Sequence, residues 1–275
     1  MIIHGVPPLD KGVPFMTQSS LHHILLTPPD TLSQARTLGL PLAHMAFQLG
    51  DDGHLHQSPL PSGLRGGWML VGCPQPPEPP ADPWTLVREI TDLCLRRQFG
   101  GVILDLECPP NSILSRMIAL LEESLRRRGR PLMLPEAYGA YSQRAGLFFS
   151  SALSGGSLRQ RLEAAIQVYG VQRLVLSLHR TREDFFLPSP EGSGRPLSQE
   201  ELKNTVDRLE PAVFFSRELC AYYFTYMNRT SGAHFVLFDN EASLRRKQEL
   251  AQELGIQTML WLFPQTEDLL PRVLL

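Results

Sequence analysis

The residues best suited to chemistry are two acids standing two apart, Asp105 and Glu107. They close the run Phe99-Gly100-Gly101-Val102-Ile103-Leu104-Asp105-Leu106-Glu107. A continuous apolar run of this kind reads as a strand buried on both faces rather than a half-exposed one. Residues i and i+2 of a strand point to the same side, so the two carboxyls are expected to project together from its C-terminal end. Pro109 and Pro110 then stop the ladder, because neither donates a backbone hydrogen bond. Neighbouring carboxylates oppose each other's ionisation, which can hold one protonated near neutrality as a general acid. A strand end that is merely acidic and solvated is the alternative, and the two-residue spacing does not separate the two by itself.

The other chemistry-bearing residues are scattered. His22-His23, His44, His54 and His56 invite a metal reading, but with no carboxylate or Cys at ligand spacing they read as solvated loop histidines. Asp51-Asp52-Gly53 begins like a calcium loop and lacks the later Glu of that motif. Cys73, Cys94, Cys108 and Cys220 form no Cys-x-x-Cys pair and read as free thiols of a reducing compartment. Cys108, beside Glu107, has no assignable His base and reads as packing. A Gly-rich phosphate loop and a Gly-x-Ser-x-Gly elbow are both missing. Neither a metal nor a cofactor is expected.

The elements around the acid pair alternate. Strand-like runs occupy 40–49, 67–73, 131–135, 145–150 and 173–178, and helical patterns occupy 84–98, 112–128 and 158–169. In the 84–98 pattern Leu86, Ile90, Leu93 and Leu95 fall roughly on one face. The basic end Arg126-Arg127-Arg128 suits a helix C-terminus better than a nucleic-acid patch. Strands alternating with helices are the mark of parallel βα units, and the pattern predicts an α/β fold, a (β/α)8 TIM barrel, whose active sites lie at the C-terminal strand ends. The rhythm breaks after Leu178. A flexible tip at 189–196, a helix at 198–209 opened by a Ser198/Glu201 capping box, and a hairpin at 221–238 predict a small α+β insertion at about 180–238. A helix at 241–254, a last strand at 256–263 and a closing helix at 267–275 complete a single domain spanning 1–275.

Composition narrows the partners. The 275 residues suffice for one large core, and 43% apolar with 20% charged residues is ordinary for a globular chain. A net charge of −2 gives no electrostatic case for nucleic acid or an anionic membrane. Met1-Ile2-Ile3-His4-Gly5-Val6-Pro7-Pro8 lacks the charged start and apolar region of a signal peptide, and no run approaches the ~18 apolar residues of a membrane span. A cytoplasmic location is the expectation, with no membrane partner.

Three pieces, in order, resemble glycoside hydrolase family 18, the chitinase-like barrels, and within it the spore cortex-lytic and peptidoglycan N-acetylglucosaminidase branch. Gly101-Val102-Ile103-Leu104-Asp105-Leu106-Glu107 resembles the family's Asp-x-x-Asp-x-Asp-x-Glu strand. Ala221 to Phe238, followed by Asp239-Asn240-Glu241-Ala242-Ser243-Leu244, resembles its insertion hairpin and acidic turn. Gly255-Ile256-Gln257-Thr258-Met259-Leu260-Trp261 resembles its last strand. The likeness spans most of the chain beyond the first 35 residues or so.

The resemblance implies a retaining glycosidase acting on N-acetylated glycans, peptidoglycan or chitin oligosaccharides, in the cytoplasm or a spore. Glu107 would protonate the glycosidic oxygen. Asp105 would support the substrate's acetamido group, which in this family is the nucleophile. Trp261 would lie under the sugar, with a core Trp as the alternative. The motif is degenerate: Gly100 and Ile103 stand where the family has its first two aspartates. Phe148-Phe149-Ser150-Ser151 stands where the family has Met-x-Tyr-Asp, so Glu136, Tyr138 or Tyr141 would have to replace the missing hydroxyl. A catalytically inactive barrel that binds glycan or a protein partner is what those losses would otherwise imply.

Overall fold

The computed structural model describes residues 21–79, 81–188, 194–229 and 232–274. The stretch read for a signal peptide, residues 189–193 of the flexible tip and residues 230–231 of the hairpin turn lie outside the described residues. In chain order the strands are β1 (His22–Thr27), β2 (Leu42–Leu49), β3 (Leu55–Gln57), β4 (Trp68–Cys73), β5 (Gly101–Leu106), β6 (Leu132–Pro135) and β7 (Gly146–Ser150). They continue with β8 (Leu174–Leu178), β9 (Arg182–Leu187), β10 (Arg195–Pro196), β11 (Phe214–Ser216), β12 (Ala221–Asn228), β13 (Gly232–Phe238) and β14 (Thr258–Leu262). The helices are α1 (Leu32–Arg36), α2 (Pro83–Arg96), α3 (Ser112–Arg126), α4 (Leu158–Tyr169), α5 (Gln199–Leu209), α6 (Glu241–Glu253), α7 (Phe263–Thr266) and α8 (Leu270–Val273).

β1, β2, β4, β5, β6, β7, β8 and β14 pair in parallel in that order, and β14 pairs back onto β1 to close the ring. The fold is a (β/α)8 barrel. Parallel strands need crossovers that bury both faces of the sheet, so two apolar layers form. One fills the barrel interior and includes Ile24, Ala43, Leu70, Ile103, Met133, Val175 and Leu260. The other lies between strands and helices, where Val102, Leu104 and Leu134 meet Leu86, Ile90, Ile118 and Leu121. Trp68 fills the lower end of the interior. Gly101 makes room for it: a Cβ there would press on the Trp68 ring and lie 2.8 Å from the Pro131 carbonyl.

Side chains fix where the long helices begin, just beyond the strand ends that form the mouth. Asp82 accepts from the backbone N–H groups of Trp84 and Thr85, Asn111 from Leu114, and Ser157 from Gln160. Asn240 and Ser243 cap α6 reciprocally. Each such cap satisfies donors that the first helical turn leaves open.

Between β8 and α6 the chain leaves the barrel and builds a five-stranded antiparallel sheet, ordered β10-β9-β13-β12-β11. α5 covers one face through Leu202 and Val206, against Phe224 and Val236. Within this layer His234 donates from Nδ1 to the buried Asp184 carboxylate at 2.9 Å, and the Tyr226 hydroxyl donates to the same carboxylate at 3.1 Å.

The departure and return points are tied at one carboxylate. Asp239 accepts from the Thr181 N–H at 2.9 Å, the Ser243 hydroxyl at 2.7 Å and the Lys247 ammonium at 2.7 Å, and its own N–H donates to the Thr181 carbonyl. Both charged side chains are 0% exposed.

The elements depart from the sequence expectations in several places, among them the short strands β3 and β9, which the sequence did not assign. β1 lies within the first 35 residues, to which the sequence assigned no element, and it is the strand that closes the ring. Of the expected closing helix at 267–275 only the one-turn α8 forms, and a second one-turn helix, α7, precedes it directly after β14. Each carries a proline in its first turn, Pro264 and Pro271, and Pro271 cannot continue a helix begun at Glu267.

Removing one partner of a buried pair leaves the other charge uncompensated. Lys247→Ala is expected to lower the unfolding free energy by about 3–5 kcal/mol, read from urea denaturation. A loss within error of zero would mean that Asp239 is held well enough by Thr181 and Ser243 alone.

Candidate active site at the C-terminal mouth

β5 carries the acid pair to the mouth. Ile103, 0% exposed, faces the barrel interior, and Asp105 follows on the same side one pleat higher. Asp105 and Glu107 both line a pocket of about 220 Å³, whose other walls include Phe47, Gln48, Gly72, Cys73 and Pro74. Asp105 is half-buried and Glu107 is exposed. Gly72 pairs with Asp105 in register, so no side chain crowds the carboxyl from β4.

The backbone beyond β5 is fixed by three contacts. The Glu107 N–H donates to the Cys73 carbonyl at 3.1 Å. The Tyr138 hydroxyl donates to the Cys108 carbonyl at 2.6 Å. Asn111 donates to the Pro77 carbonyl at 3.0 Å, tying this loop to the proline-rich one after β4.

Burial, and then the nearby Glu107 charge, holds the Asp105 carboxyl above the usual carboxylate range. Its oxygens meet no protein donor among the described residues, so their hydrogen-bonding capacity is left for whatever enters. The pair therefore combines a partly desolvated acid with an exposed one at the edge, an arrangement suited to proton transfer and to holding a polar group.

A cavity of about 310 Å³ opens at the opposite, N-terminal end, between Arg126, Arg130, Arg144 and Gln257. Active sites of these barrels form at the other face. This cavity also offers no acid pair, so chemistry rather than size selects the mouth.

The remaining sequence candidates do not join the acids. Trp261 is 0% exposed and packs in the layer between barrel and helices, where its indole N–H donates to His23 Nδ1 at 3.0 Å. Leu260 and Leu262 take the interior positions on β14, so the expected place under a sugar is not where Trp261 sits. Tyr138 is also 0% exposed, and its hydroxyl is spent on the Cys108 carbonyl. Glu136 forms an ion pair with Arg161 on α4, and Tyr141 is a surface ring beside Tyr138. None of the three lines the acid pocket. Ser150 ends β7 where the resemblance calls for a Tyr, and its hydroxyl accepts from the Ala152 N–H.

The histidines are not solvated loop residues throughout. His44 is buried on β2, and His23 is bonded to Trp261. His54 just before β3 and His56 within it lie at the surface and do find carboxylates, Glu89 and Asp52, at 2.9 Å each. Among the described residues no three metal-ligating side chains gather.

Two features of the mouth escaped the sequence reading. Ser177 and His179, at the end of β8, bond to each other at 3.0 Å, and burial lowers the His179 pKa. They repeat the i, i+2 spacing of the acid pair, which was the available signal. The Cys73 and Cys108 sulfurs lie 3.6 Å apart, a contact that distance in sequence concealed.

No protein-family model matches the chain, and no curated protein sequence matches it. Solved structures do match in fold. The spore cortex-lytic enzyme SleL of Bacillus megaterium QM B1551 aligns with a TM-score of 0.66 at 16% identity, over 93% of this chain and 74% of that one. A chitinase from Chromobacterium violaceum aligns with a TM-score of 0.67 at 13% identity, over 91% and 97%. A GH18 chitinase from Cycas revoluta, solved in complex with (GlcNAc)3, aligns with a TM-score of 0.61 at 15% identity, over 92% and 98%. At such identities the likeness is one of fold, and what the chain shares with these enzymes is the (β/α)8 barrel.

Proposed function

We propose that this chain is a glycoside hydrolase that cleaves β-linked N-acetylglucosamine glycans with retention, using the substrate's acetamido group as nucleophile. The observation that carries the reading is the shared pocket of Asp105 and Glu107 at the barrel mouth, with Asp105 held above its ordinary pKa. Glu107, at the exposed edge, gives its proton to the glycosidic oxygen. Asp105, with no protein donor among the described residues, receives the acetamido N–H and steadies the positive charge that develops as the amide oxygen attacks. Because the substrate supplies the nucleophile, two protein acids suffice, and the chemistry calls for no metal or cofactor. The cortex-lytic neighbour makes peptidoglycan the first substrate to try, with chitin oligosaccharides second, and a spore or cytoplasmic setting goes with that choice. No described helix is long and apolar enough to cross a membrane.

A second reading, a catalytically inactive barrel that binds glycan or a protein partner, is favoured by specific residues. Ile103 places an apolar group beneath Asp105, Ser150 ends β7, and no tyrosine lines the acid pocket. Loss of one transition-state donor costs ~10²–10³ in rate.

The test is turnover of a fluorogenic N-acetylglucosamine or chitobiose substrate and of purified peptidoglycan, wild type beside Glu107→Gln. Activity that falls by about 10²–10⁴ in the variant fits loss of a general acid. Sugar binding without turnover in either protein would select the inactive barrel.

Asp105 gives a prediction independent of turnover. Its folded pKa is raised, so the native state holds the proton more tightly than the unfolded chain. The stability this contributes is present below the ordinary carboxylate pKa, ~3.9, and is lost as pH rises through the folded value. Asp105→Asn is therefore expected to melt above wild type at neutral pH, with the gap closing as the buffer is taken below pH ~4. A variant that melts lower at neutral pH would show that Asp105 has a stabilising partner after all.

A further inference from the structure

We propose that Cys73 and Cys108 form a reversible disulfide whose closure displaces Glu107. The proposal rests on the glycosidase reading only for its effect on turnover.

The two sulfurs lie 3.6 Å apart in the layer between barrel and helices, next to the segments that carry the acid pocket, both largely buried, at 1% and 6% exposure. Cys73 ends β4 and lines that pocket, and Cys108 directly follows Glu107. The same two segments are joined through backbone by the Glu107 N–H and the Cys73 carbonyl. The other two thiols, Cys94 and Cys220, are turned to the carbonyls of Phe99 and Arg217. The Cys73–Cys108 contact is therefore the one dithiol among the described residues.

A disulfide bond is about 2.05 Å long, so closure draws the sulfurs together by roughly 1.5 Å. The two sides do not yield equally. Cys73 belongs to a central barrel strand, and its sulfur is already directed at the Gln75 carbonyl at 3.0 Å. Cys108 lies past the end of β5 at Leu106, outside the ladder, with Pro109 and Pro110 behind it. Most of the movement falls on Cys108 and the residue bonded to it, Glu107. It also pulls against the Tyr138 hydroxyl that holds the Cys108 carbonyl. A misplacement of ~1 Å in catalytic geometry costs about 10²-fold.

Oxidised glutathione suffices as the oxidant. The Cys108 sulfur, the more exposed, attacks one glutathione sulfur and the other leaves as glutathione, taking the cysteine's proton. Cys73 then attacks the mixed disulfide and releases the second glutathione with its own proton. Two thiols are oxidised and one glutathione disulfide is reduced. Burial pushes the Cys73 thiol up to about 12, so the second step is slow at neutral pH and quickens in alkaline buffer.

The experiment incubates the full chain with oxidised glutathione, blocks free thiols after denaturation, and maps the peptides by mass. Turnover and amide hydrogen exchange are followed in parallel. The expected result is a peptide pair linking Cys73 to Cys108, turnover reduced about tenfold or more, and recovery with dithiothreitol. The ratio of reduced to oxidised rates is expected to fall to one in both Cys73→Ser and Cys108→Ala, whatever their own rates. If the reduced wild type turns over no substrate, the glycosidase reading fails. The displacement is then read from exchange at the Glu107 amide, which should quicken on oxidation. Thiols that remain fully blockable after oxidant would overturn the site. A mapped disulfide with unchanged turnover or, where there is none, unchanged Glu107 exchange would overturn the displacement.

Discussion

The Asp239 carboxylate is the interaction on which the arrangement at the mouth depends. A barrel strand must hand its chain to a helix within a few residues, yet here a whole sheet intervenes between β8 and α6. Thr181 and Asp239, 58 apart in sequence, exchange backbone and side-chain hydrogen bonds across that gap. The buried Lys247 neutralises the carboxylate from α6, and the Ser243 hydroxyl takes its second oxygen. Departure and return are thereby held as closely as a tight turn would hold them. Burying two charges costs free energy that an apolar pair would not. What that cost secures is a fixed junction, which lets the inserted sheet vary without disturbing the ring of strands beneath it.

The acid pair depends on the ring in a different way. Asp105 is held up by a fully formed barrel strand and has no donor among the described residues. Glu107 sits just past the strand and takes its position from neighbouring loops. One acid is thus tied to the rigid scaffold, and the other to contacts made by Cys73, Tyr138 and Asn111. Tyr138 therefore matters to the mouth as a support of the Cys108 backbone, a role that needs no contact with a ligand.

Much of this was legible in the sequence. The apolar run ending in Asp-x-Glu identified β5 and the shared face of its two acids, because period-two alternation and a proline stop are local properties. The helix start at Ser198 was legible for the same reason. Alternation does not say which of two faces is the inside, and Trp261 shows the consequence. One residue of register separates the interior positions Leu260 and Leu262 from the outer layer, and Trp261 instead braces the β14–β1 seam through His23. β1 was missed because it is only six residues long and opens on His22-His23 rather than on an apolar residue. β9 begins Arg182-Glu183-Asp184, which hides a strand whose charges are satisfied only by tertiary partners such as His234. The Cys73–Cys108 contact was out of reach altogether, since only the pairing of β4 with β5 brings it about.

The interior beneath the mouth is solid, from Leu70 and Ile103 down to Trp68, the last seated against the space left by Gly101. The barrel is thus stoppered partway along, with no passage from one end to the other among the described residues. A long, chain-like ligand cannot thread it and must lie across the rim, and whatever is released there has to back out by the route it came in. Where along such a chain the protein engages is consequently a matter for the loops around the rim, with the strands serving only as the anvil.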